Sequence, residues 1–149
     1  MPRYVAVVGP GEATAADVDA AAAVGGELAR AGVVLVCGGL GGVMEAACRG
    51  AREAGGTTVG ILPGAERSAA NPFVDVAIAT GLGEARNALV VRGADALVAV
   101  GRGYGTLSEI ALALKAGKHV VGVGSWDIDG VESADTPEQA VTAALAALT

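Results

Sequence analysis

Residues 96–109 read ALVAVGRGYGTLSE, which places three glycines within five residues between an apolar run and a helical pattern. The apolar run 96–100 predicts a strand, and the pattern after Gly105 predicts a helix, so the glycines form the turn between them. Glycine lets the backbone approach a ligand closely, and the first N–H groups of a helix point outward at the positive end of its dipole. We therefore expect this turn to bind an anion, most often a phosphate.

Glu109 has two interpretations at this stage. Thr106 and Glu109 have the spacing of a capping box, in which the threonine caps the helix and the glutamate accepts a hydrogen bond from the threonine N–H. The other interpretation is a catalytic carboxylate beside the phosphate turn. The substitution Glu109→Gln separates the two, because glutamine still serves a capping box but cannot act as a base.

Composition limits the class of protein. The 149 residues are enough for one domain with a core, and we assign residues 1–149 to a single domain. A content of 52% hydrophobic but only 3% aromatic residues is typical of helices packed tightly on a buried sheet. A net charge of −6 without any basic cluster provides no field for a polyanion, so no nucleic-acid partner is expected.

The cysteines and the first residues indicate the compartment. Cys37 and Cys48 lack metal-ligand spacing and lie in apolar surroundings, so we expect reduced core residues and no metal site. The N-terminus runs directly into a strand pattern, and no apolar run is long enough to cross a bilayer. A cytoplasmic protein without membrane contact is expected.

Strands and helices alternate along the whole chain. Strands are predicted at 4–8, 33–37, 57–62, 74–79, 96–100 and 119–123, and helices at 15–31, 43–54, 84–93, 107–116 and 137–147, with loops at 65–72 and 124–135. Strands separated by helices need right-handed crossovers, and strands that are apolar on both faces need helices on both sides. The pattern predicts a three-layer, doubly wound, Rossmann-like α/β fold with a parallel sheet.

Three glycine-rich turns would share one edge of that sheet. Gly9-Pro10-Gly11, Gly38–Gly42 and Gly101–Gly105 each follow a predicted strand. In a parallel sheet these turns lie at the carboxyl edge, where ligands bind at the switch point in strand order. Three such turns favour a small phosphorylated ligand.

Several familiar chemistries do not fit the sequence. The turn after the first strand lacks the third glycine of the dinucleotide fingerprint, and no phosphate-binding Gly-x-x-x-x-Gly-Lys motif or Gly-x-Ser-x-Gly nucleophile motif is present. His119 begins a strand at the opposite edge and is interpreted as a structural or surface histidine. The lysines Lys115 and Lys118 also lie near that edge, which argues against a pyridoxal-phosphate decarboxylase.

Arg86 is placed in the first turn of a predicted helix, where the dipole disfavours a cation. An anion is expected to compensate. The partner is either Glu84 or Glu109 in a structural ion pair, or the phosphate or carboxylate of a ligand.

Three motifs carry a family resemblance. GGLGGVMEA (residues 38–46), EARN (84–87) and GRGYGTLSE (101–109) together resemble the LOG ("Lonely Guy") superfamily, formerly called "possible lysine decarboxylase". Its best-known members are phosphoribohydrolases that split a nucleoside 5′-monophosphate into base and ribose 5-phosphate, and a related branch contains molybdenum-cofactor carriers. The resemblance covers nearly the whole chain, with the motifs in the same order.

The resemblance implies a set of site residues. Gly103, Gly105 and Thr106 would cradle the phosphate, and Arg86 and Glu109 match the essential pair of the enzymes. In such an enzyme the carboxylate would stabilise an oxocarbenium-like state and orient or deprotonate water. The remaining candidates for contact with the ligand are Gly9, Gly11, Gly38, Gly39, Gly41, Gly42, Met44, Glu45, Asn87, Arg102 and Tyr104.

Two departures separate the chain from the enzymes of this superfamily. The enzymes have Pro-Gly-Gly where this chain has Gly101-Arg102-Gly103, and Arg-Lys where it has Arg86-Asn87. Arg102 either adds a charged contact to the ligand or points to solvent. Both departures resemble the carrier branch, so two functions stay open: a phosphoribohydrolase, or a carrier or sensor of a phosphorylated pterin or nucleotide. Neither requires a cofactor, and the bound molecule would be phosphate, a nucleotide or the molybdenum cofactor.

The helix after the central turn predicts an assembly. Residues 110–114 read IALAL, which makes this helix apolar almost all round, whereas a helix on a monomer surface has a polar outer face. A second subunit is expected to cover it, in the homodimer that the resemblance also implies. Ala113 is taken as an outward position, so that Ala113→Glu would dissociate the dimer.

Overall fold

Seven parallel strands form one sheet in a computed structural model that describes residues 1–148. Thr149, the last residue of the predicted domain, lies outside the described residues. The strands are β1 (Tyr4–Val8), β2 (Val34–Cys37), β3 (Thr58–Leu62), β4 (Val76–Ala79), β5 (Ala96–Val100), β6 (His119–Val123) and β7 (Val131–Ser133). The helices are α1 (Ala15–Arg30), α2 (Val43–Glu53), α3 (Arg86–Arg92), α4 (Tyr104–Lys115) and α5 (Pro137–Ala146).

The central strands are buried on both faces. In β1, Val5 and Val7 pack into the core layer that α1, α2 and α5 cover, whereas Ala6 and Val8 pack into the layer covered by α3 and α4. Alternate side chains of one strand therefore enter two cores, which is why the sequence of the strand is apolar throughout. The three-layer, doubly wound fold is confirmed.

The strand order places a crevice at the centre of the sheet. The order is β4-β3-β2-β1-β5-β6-β7, so the chain builds outward from β1 in one direction through β4 and then in the other direction from β5. Loops at the carboxyl ends of β1 and β5 diverge at this reversal, and ligands of such sheets bind in the space between them. The turns after β1 and β5 are Gly9–Gly11 and Gly101–Gly105, two of the three predicted turns.

Helices α1 and α2 touch through their backbones. A Cβ added at Gly25 would lie 2.0 Å from the Ala47 carbonyl oxygen, and one added at Gly50 would lie 2.0 Å from the Ala22 carbonyl oxygen. No side chain fits between the two helices at either position, so only glycine permits this contact.

Some predicted boundaries are wrong. The predicted loop 124–135 contains β7, which pairs with β6 through Val120 and Val131, and its three mostly polar residues carry no recognisable periodicity. The predicted helix 84–93 divides into a 3₁₀ turn, Gly83–Ala85, and then α3. Helix α4 begins three residues earlier than predicted, at Tyr104.

Away from the site, the cysteines, His119 and Lys118 lie where they were predicted. Both cysteines are free and buried. His119 lies at the first position of β6, where its Nε2 is 2.9 Å from Glu132 Oε1 of β7. Lys118 donates from Nζ to the Val91 carbonyl oxygen at the end of α3, far from the glycine turns. Among residues 1–148, no helix combines the length and the apolar character needed to span a membrane.

Candidate ligand-binding site

The three glycine turns meet at Pro10. The Pro10 carbonyl oxygen accepts a hydrogen bond from Val43 N–H, the first residue of α2, at 3.1 Å. Gly42 precedes it with a φ of +64°, and a Cβ there would lie 2.3 Å from the same oxygen. On the other side, a Cβ at Gly103 would lie 3.3 Å from Pro10 Cβ. The turns after β1, β2 and β5 therefore form one surface.

Two helix N-termini at this surface carry no side-chain cap. Helix α1 is capped by Thr14, whose Oγ1 accepts from Asp17 N–H at 3.1 Å. The N-cap residues of α2 and α4 are Gly42 and Gly103, and in the described part of the chain no side chain caps either helix. The first N–H groups of α4, and those of α2 after Val43, whose N–H is bound to Pro10, stay available to an anion, in line with the dipole of each helix.

The predicted capping box of Thr106 and Glu109 is wrong. Because Gly103 is the N-cap, Thr106 is the third residue of α4 and is only 2% exposed. Its Oγ1 and the Nε of Arg86 are buried, and within residues 1–148 neither atom has a hydrogen-bond partner. A buried polar atom without a partner costs about 1–3 kcal/mol, which a ligand with suitable acceptor and donor atoms would recover.

Arg86 lies over the turn after β2. A Cβ added at Gly38 would lie 2.7 Å from Arg86 Nη2 and 2.9 Å from Met44 Sδ. A side chain at Gly38 would therefore displace the guanidinium. Arg86 and the second glycine turn are therefore in contact, and their membership of one ligand site stays a prediction.

Hydrogen bonds connect Arg86 to α4. The Asn87 amide oxygen accepts from Arg86 Nη1, and Asn87 Nδ2 donates to Ser108 Oγ at 3.0 Å. Ser108 Oγ in turn donates to the Gly105 carbonyl oxygen at 2.9 Å. Asn87 thus accepts a hydrogen bond from Arg86, which the lysine of the related enzymes cannot do because its side chain has no acceptor atom.

Of the two alternatives for Arg86, the structural ion pair with Glu84 or Glu109 is not formed among residues 1–148. Three ion pairs occur within residues 1–148, and none of them includes Arg86. Glu109 still responds to this cation: burial raises the pKa of the Glu109 carboxyl to about 7, and the charge of Arg86 opposes that rise. With 6% exposure and a pKa near neutrality, Glu109 has the properties of an acid–base group.

A cleft of about 740 Å³ opens beside these residues. Of the predicted site residues it contains Arg86, Asn87, Tyr104 and Gly105. Its other walls are mostly small or apolar and were not named as site residues, although Leu40, Glu84, Ala85 and Ser108 lie within the three motifs. They are Leu40, Pro63, Gly83, Glu84, Ala85, Ala88, Ser108 and Leu112.

The other glycines and Glu45, predicted to contact the ligand, have contacts that stabilise the turns or are exposed. The Gly39 carbonyl oxygen accepts from Asn71 N–H at 2.9 Å, which fixes the turn after β2. A Cβ at Gly9 would lie 2.4 Å from the Val100 carbonyl oxygen, so Gly9 permits the contact of β1 with β5. Gly11 and Gly41 face each other across the turns, and Glu45 is exposed on α2.

Arg102 is exposed and lies beside the loop after β6. Its Nε donates to the Ser125 carbonyl oxygen at 3.3 Å, and its guanidinium carbon lies 6.0 Å from the Trp126 ring centroid. Neither contact was predicted, because Ser125 and Trp126 carry no motif and are separated from Arg102 by helix α4 and strand β6 in the chain.

Fold and motifs together define a Rossmann-like protein of the LOG-like superfamily, with a crevice at the switch point of a parallel sheet. More narrowly, the chain belongs to the SLOG cluster4 family, whose model matches residues 2–147.

Two proteins of known structure and one further relative in sequence resemble this chain over nearly their whole length. The molybdenum cofactor binding protein of Rippkaea orientalis is 40% identical with a TM-score of 0.95, over 100% of this chain and 99% of that one. The molybdenum cofactor carrier protein of Chlamydomonas reinhardtii is 38% identical with a TM-score of 0.92, over 99% of both chains. An uncharacterized protein of Archaeoglobus fulgidus is 47% identical over 138 residues, which are 92% of this chain and 91% of that one. The predicted resemblance to the carrier branch is confirmed.

Proposed function

We propose that the whole chain is one ligand-binding domain that binds and carries a phosphorylated pterin of the molybdenum-cofactor type. The observation that carries the proposal is the whole-length similarity to two proteins, 38% and 40% identical, that are named for binding or carrying this cofactor. The carrier function takes precedence over hydrolysis for this reason.

The residues of the site fit such a cargo. The N–H groups at the uncapped start of α4, Gly103–Thr106, would hold the phosphate, and those at the start of α2 would add to the same positive potential. Arg86 would donate to the ligand from its buried, unpaired Nε. The apolar walls of the cleft would receive the less polar part of the molecule.

A retention experiment tests the proposal. The protein is incubated anaerobically with molybdenum cofactor released from a molybdenum enzyme and is then desalted; the retained pterin is measured by fluorescence after oxidation, and molybdenum by mass spectrometry. We expect about one cofactor per site for the wild type and strongly reduced retention for Arg86→Ala. Equal retention by both proteins would contradict the assigned site, and no retention by the wild type would contradict the function.

Hydrolysis of a nucleoside 5′-monophosphate is the second candidate. It is favoured by Glu109, whose carboxyl is buried, has its pKa raised to about 7 and feels the charge of Arg86. Incubation with a panel of nucleoside monophosphates, followed by chromatography of free base, tests it. Base released by the wild type but not by Glu109→Gln, without retention of the cofactor, would replace the carrier function with the enzymatic one.

A further inference from the structure

An aromatic pair stands beside the uncapped end of α4. Tyr104 is the first residue of this helix, and Trp126 lies in the segment that follows β6. The two rings are stacked, with centroids 6.3 Å apart and an angle of 26° between their planes. In a chain with only 3% aromatic residues, this pair lies next to the N–H groups assigned to the phosphate.

Trp126 is fixed to the turn that begins α4. Its indole Nε1 donates to the Gly103 carbonyl oxygen at 3.0 Å, and Gly103 is the N-cap of the helix. The ring also packs against the core on the α3 and α4 side of the sheet. The Arg102 guanidinium, at 6.0 Å from the ring centroid, lies within the range of a cation–π contact. The indole is therefore a rigid support.

Tyr104 contributes little to the fold. Its side chain is 85% exposed, so it buries almost no apolar area in the core. The same residue lines the cleft together with Arg86 and Gly105. A large ring supported from one side by Trp126 and open to a ligand cleft has the arrangement of a stacking surface.

We propose that Tyr104, supported by Trp126, is the stacking wall that recognises the flat heterocycle of the ligand. The inference rests on the proposed function and narrows the ligand class to molecules that join a phosphate to a planar ring, a pterin or a purine. Phosphorylated sugars without such a ring would use only the anion site. Stacking of a base on an aromatic side chain predicts a loss of roughly 5- to 150-fold in affinity on truncation to alanine.

Calorimetric titrations of three probes test the wall: the molybdenum cofactor, guanosine 5′-monophosphate and ribose 5-phosphate. We expect Tyr104→Ala to lower the affinity for the two probes with a ring by roughly 5- to 150-fold, and to change the affinity for ribose 5-phosphate less than about twofold. Tyr104→Phe should bind like the wild type. Val76→Ala, which trims an exposed apolar side chain on β4, is the matched control without effect. Trp126 is the only tryptophan, so its fluorescence should respond to the probes with a ring and not to ribose 5-phosphate.

The outcomes separate this inference from the proposed function. If Tyr104→Ala leaves cofactor affinity unchanged, or weakens cofactor and ribose 5-phosphate binding equally, the stacking role of Tyr104 is wrong, while the carrier function stands. If the wild type does not bind the cofactor, and Tyr104→Ala selectively loses affinity for guanosine 5′-monophosphate, the stacking role is supported and the carrier function is wrong. A change of oligomeric state in Tyr104→Ala without ring-selective loss assigns the ring to a subunit contact and also overturns the wall. A wild type that binds neither probe with a ring overturns both.

Discussion

Arg86 is held at the site by neighbours that accept hydrogen bonds, and not by a carboxylate. The Asn87 amide oxygen takes one guanidinium N–H, and Ser108 fixes the amide in turn. The full positive charge of Arg86 therefore stays available to a ligand. In a chain of net charge −6, this concentrates positive potential in one crevice.

We expect Arg86→Ala to weaken the binding of inorganic phosphate by roughly 10- to 150-fold, because a hydrogen bond to a charged group contributes about 1.5–3 kcal/mol. The melting temperature without ligand should hardly change, since Arg86 forms none of the ion pairs within residues 1–148. Calorimetry and thermal unfolding measure the two effects. Arg52→Ala, which removes the surface ion pair with Asp75, is the control with unchanged phosphate binding. A melting temperature several degrees lower, with unchanged phosphate affinity, would show that Arg86 stabilises the fold and does not bind the ligand.

Glu109 predicts a pH dependence of stability. Its pKa is about 7 in the folded protein against 4.5 as the ordinary value, so the folded state binds the proton more tightly. Stability should therefore fall as pH rises from about 4.5 to about 7, by up to roughly 3 kcal/mol. Glu109→Gln does not titrate, and its free energy of unfolding should exceed that of the wild type increasingly over this window. Urea unfolding at several pH values measures the difference, and parallel curves would contradict it.

Arg86 and Glu109 could be selected as candidates from the sequence, whereas the hydrogen bonds that orient Arg86 could not. Arg86 and Glu109 stand in motifs that a single sequence displays. The bonds from Asn87 to Ser108 join residues 21 positions apart, and no local pattern encodes such a contact. The chain shows the residue types of a site more readily than the geometry that orients them.

At the scale of elements, the start of α4 shows where local rules mislead. A threonine side chain can accept a hydrogen bond from the first N–H groups of a helix and glycine cannot, and Thr106 and Glu109 have the spacing of a capping box, so the sequence favoured Thr106 over Gly103. The helix starts at the glycine nevertheless, and its first N–H groups have no cap within the described residues. Uncapped N–H groups reduce the stability of a helix but suit an anion site, so the proposed binding of a phosphate would account for this departure from the local preference.

Gly105→Ala should separate stability from binding. A Cβ there meets no atom within 4 Å, and the φ of Gly105 is not positive, so alanine fits and should stabilise the protein by about 0.5–1 kcal/mol. The added methyl group would occupy space beside the free N–H groups, and we expect weaker phosphate binding. Gly64→Ala, at an equally open glycine outside this turn, is the matched control. Unchanged phosphate affinity in Gly105→Ala would contradict the assigned anion site.

Hydrophobic periodicity predicted most helices and strands, but it could not show which face of a helix is buried when the helix is apolar on several sides. Six of the strands have β-branched, apolar sequences, and each was found within about two residues of its predicted bounds. Helix α4 is apolar on several sides, and its inner face could not be identified from the pattern. The prediction that Ala113 faces outward is wrong, because Ala113 is fully buried against the sheet. The outward positions include Ala111 and Leu112.

At the scale of the whole molecule, a homodimer through α4 stays a prediction. Leu112 of α4 and Leu89 of α3 are 37% and 40% exposed and form an apolar outer surface. Ala111→Glu should place a charge on this surface and dissociate the dimer while the melting temperature of the fold is retained. Ala113→Glu should instead unfold the protein, because it buries an unpaired charge. Light scattering measures the oligomeric state, and a wild type that is monomeric at micromolar concentration would contradict the predicted dimer.

The backbone contact of α1 with α2 has a consequence for the kinetics of release. Gly25 and Gly50 join these helices without intervening side chains, so we expect the turns that precede them to move together. The opposite side of the cleft begins with the exposed 3₁₀ turn Gly83–Ala85 and continues into α3. For the proposed carrier function, we expect release of the cargo to involve movement of that turn and of α3, so that changes on this side of the cleft alter the lifetime of the loaded state.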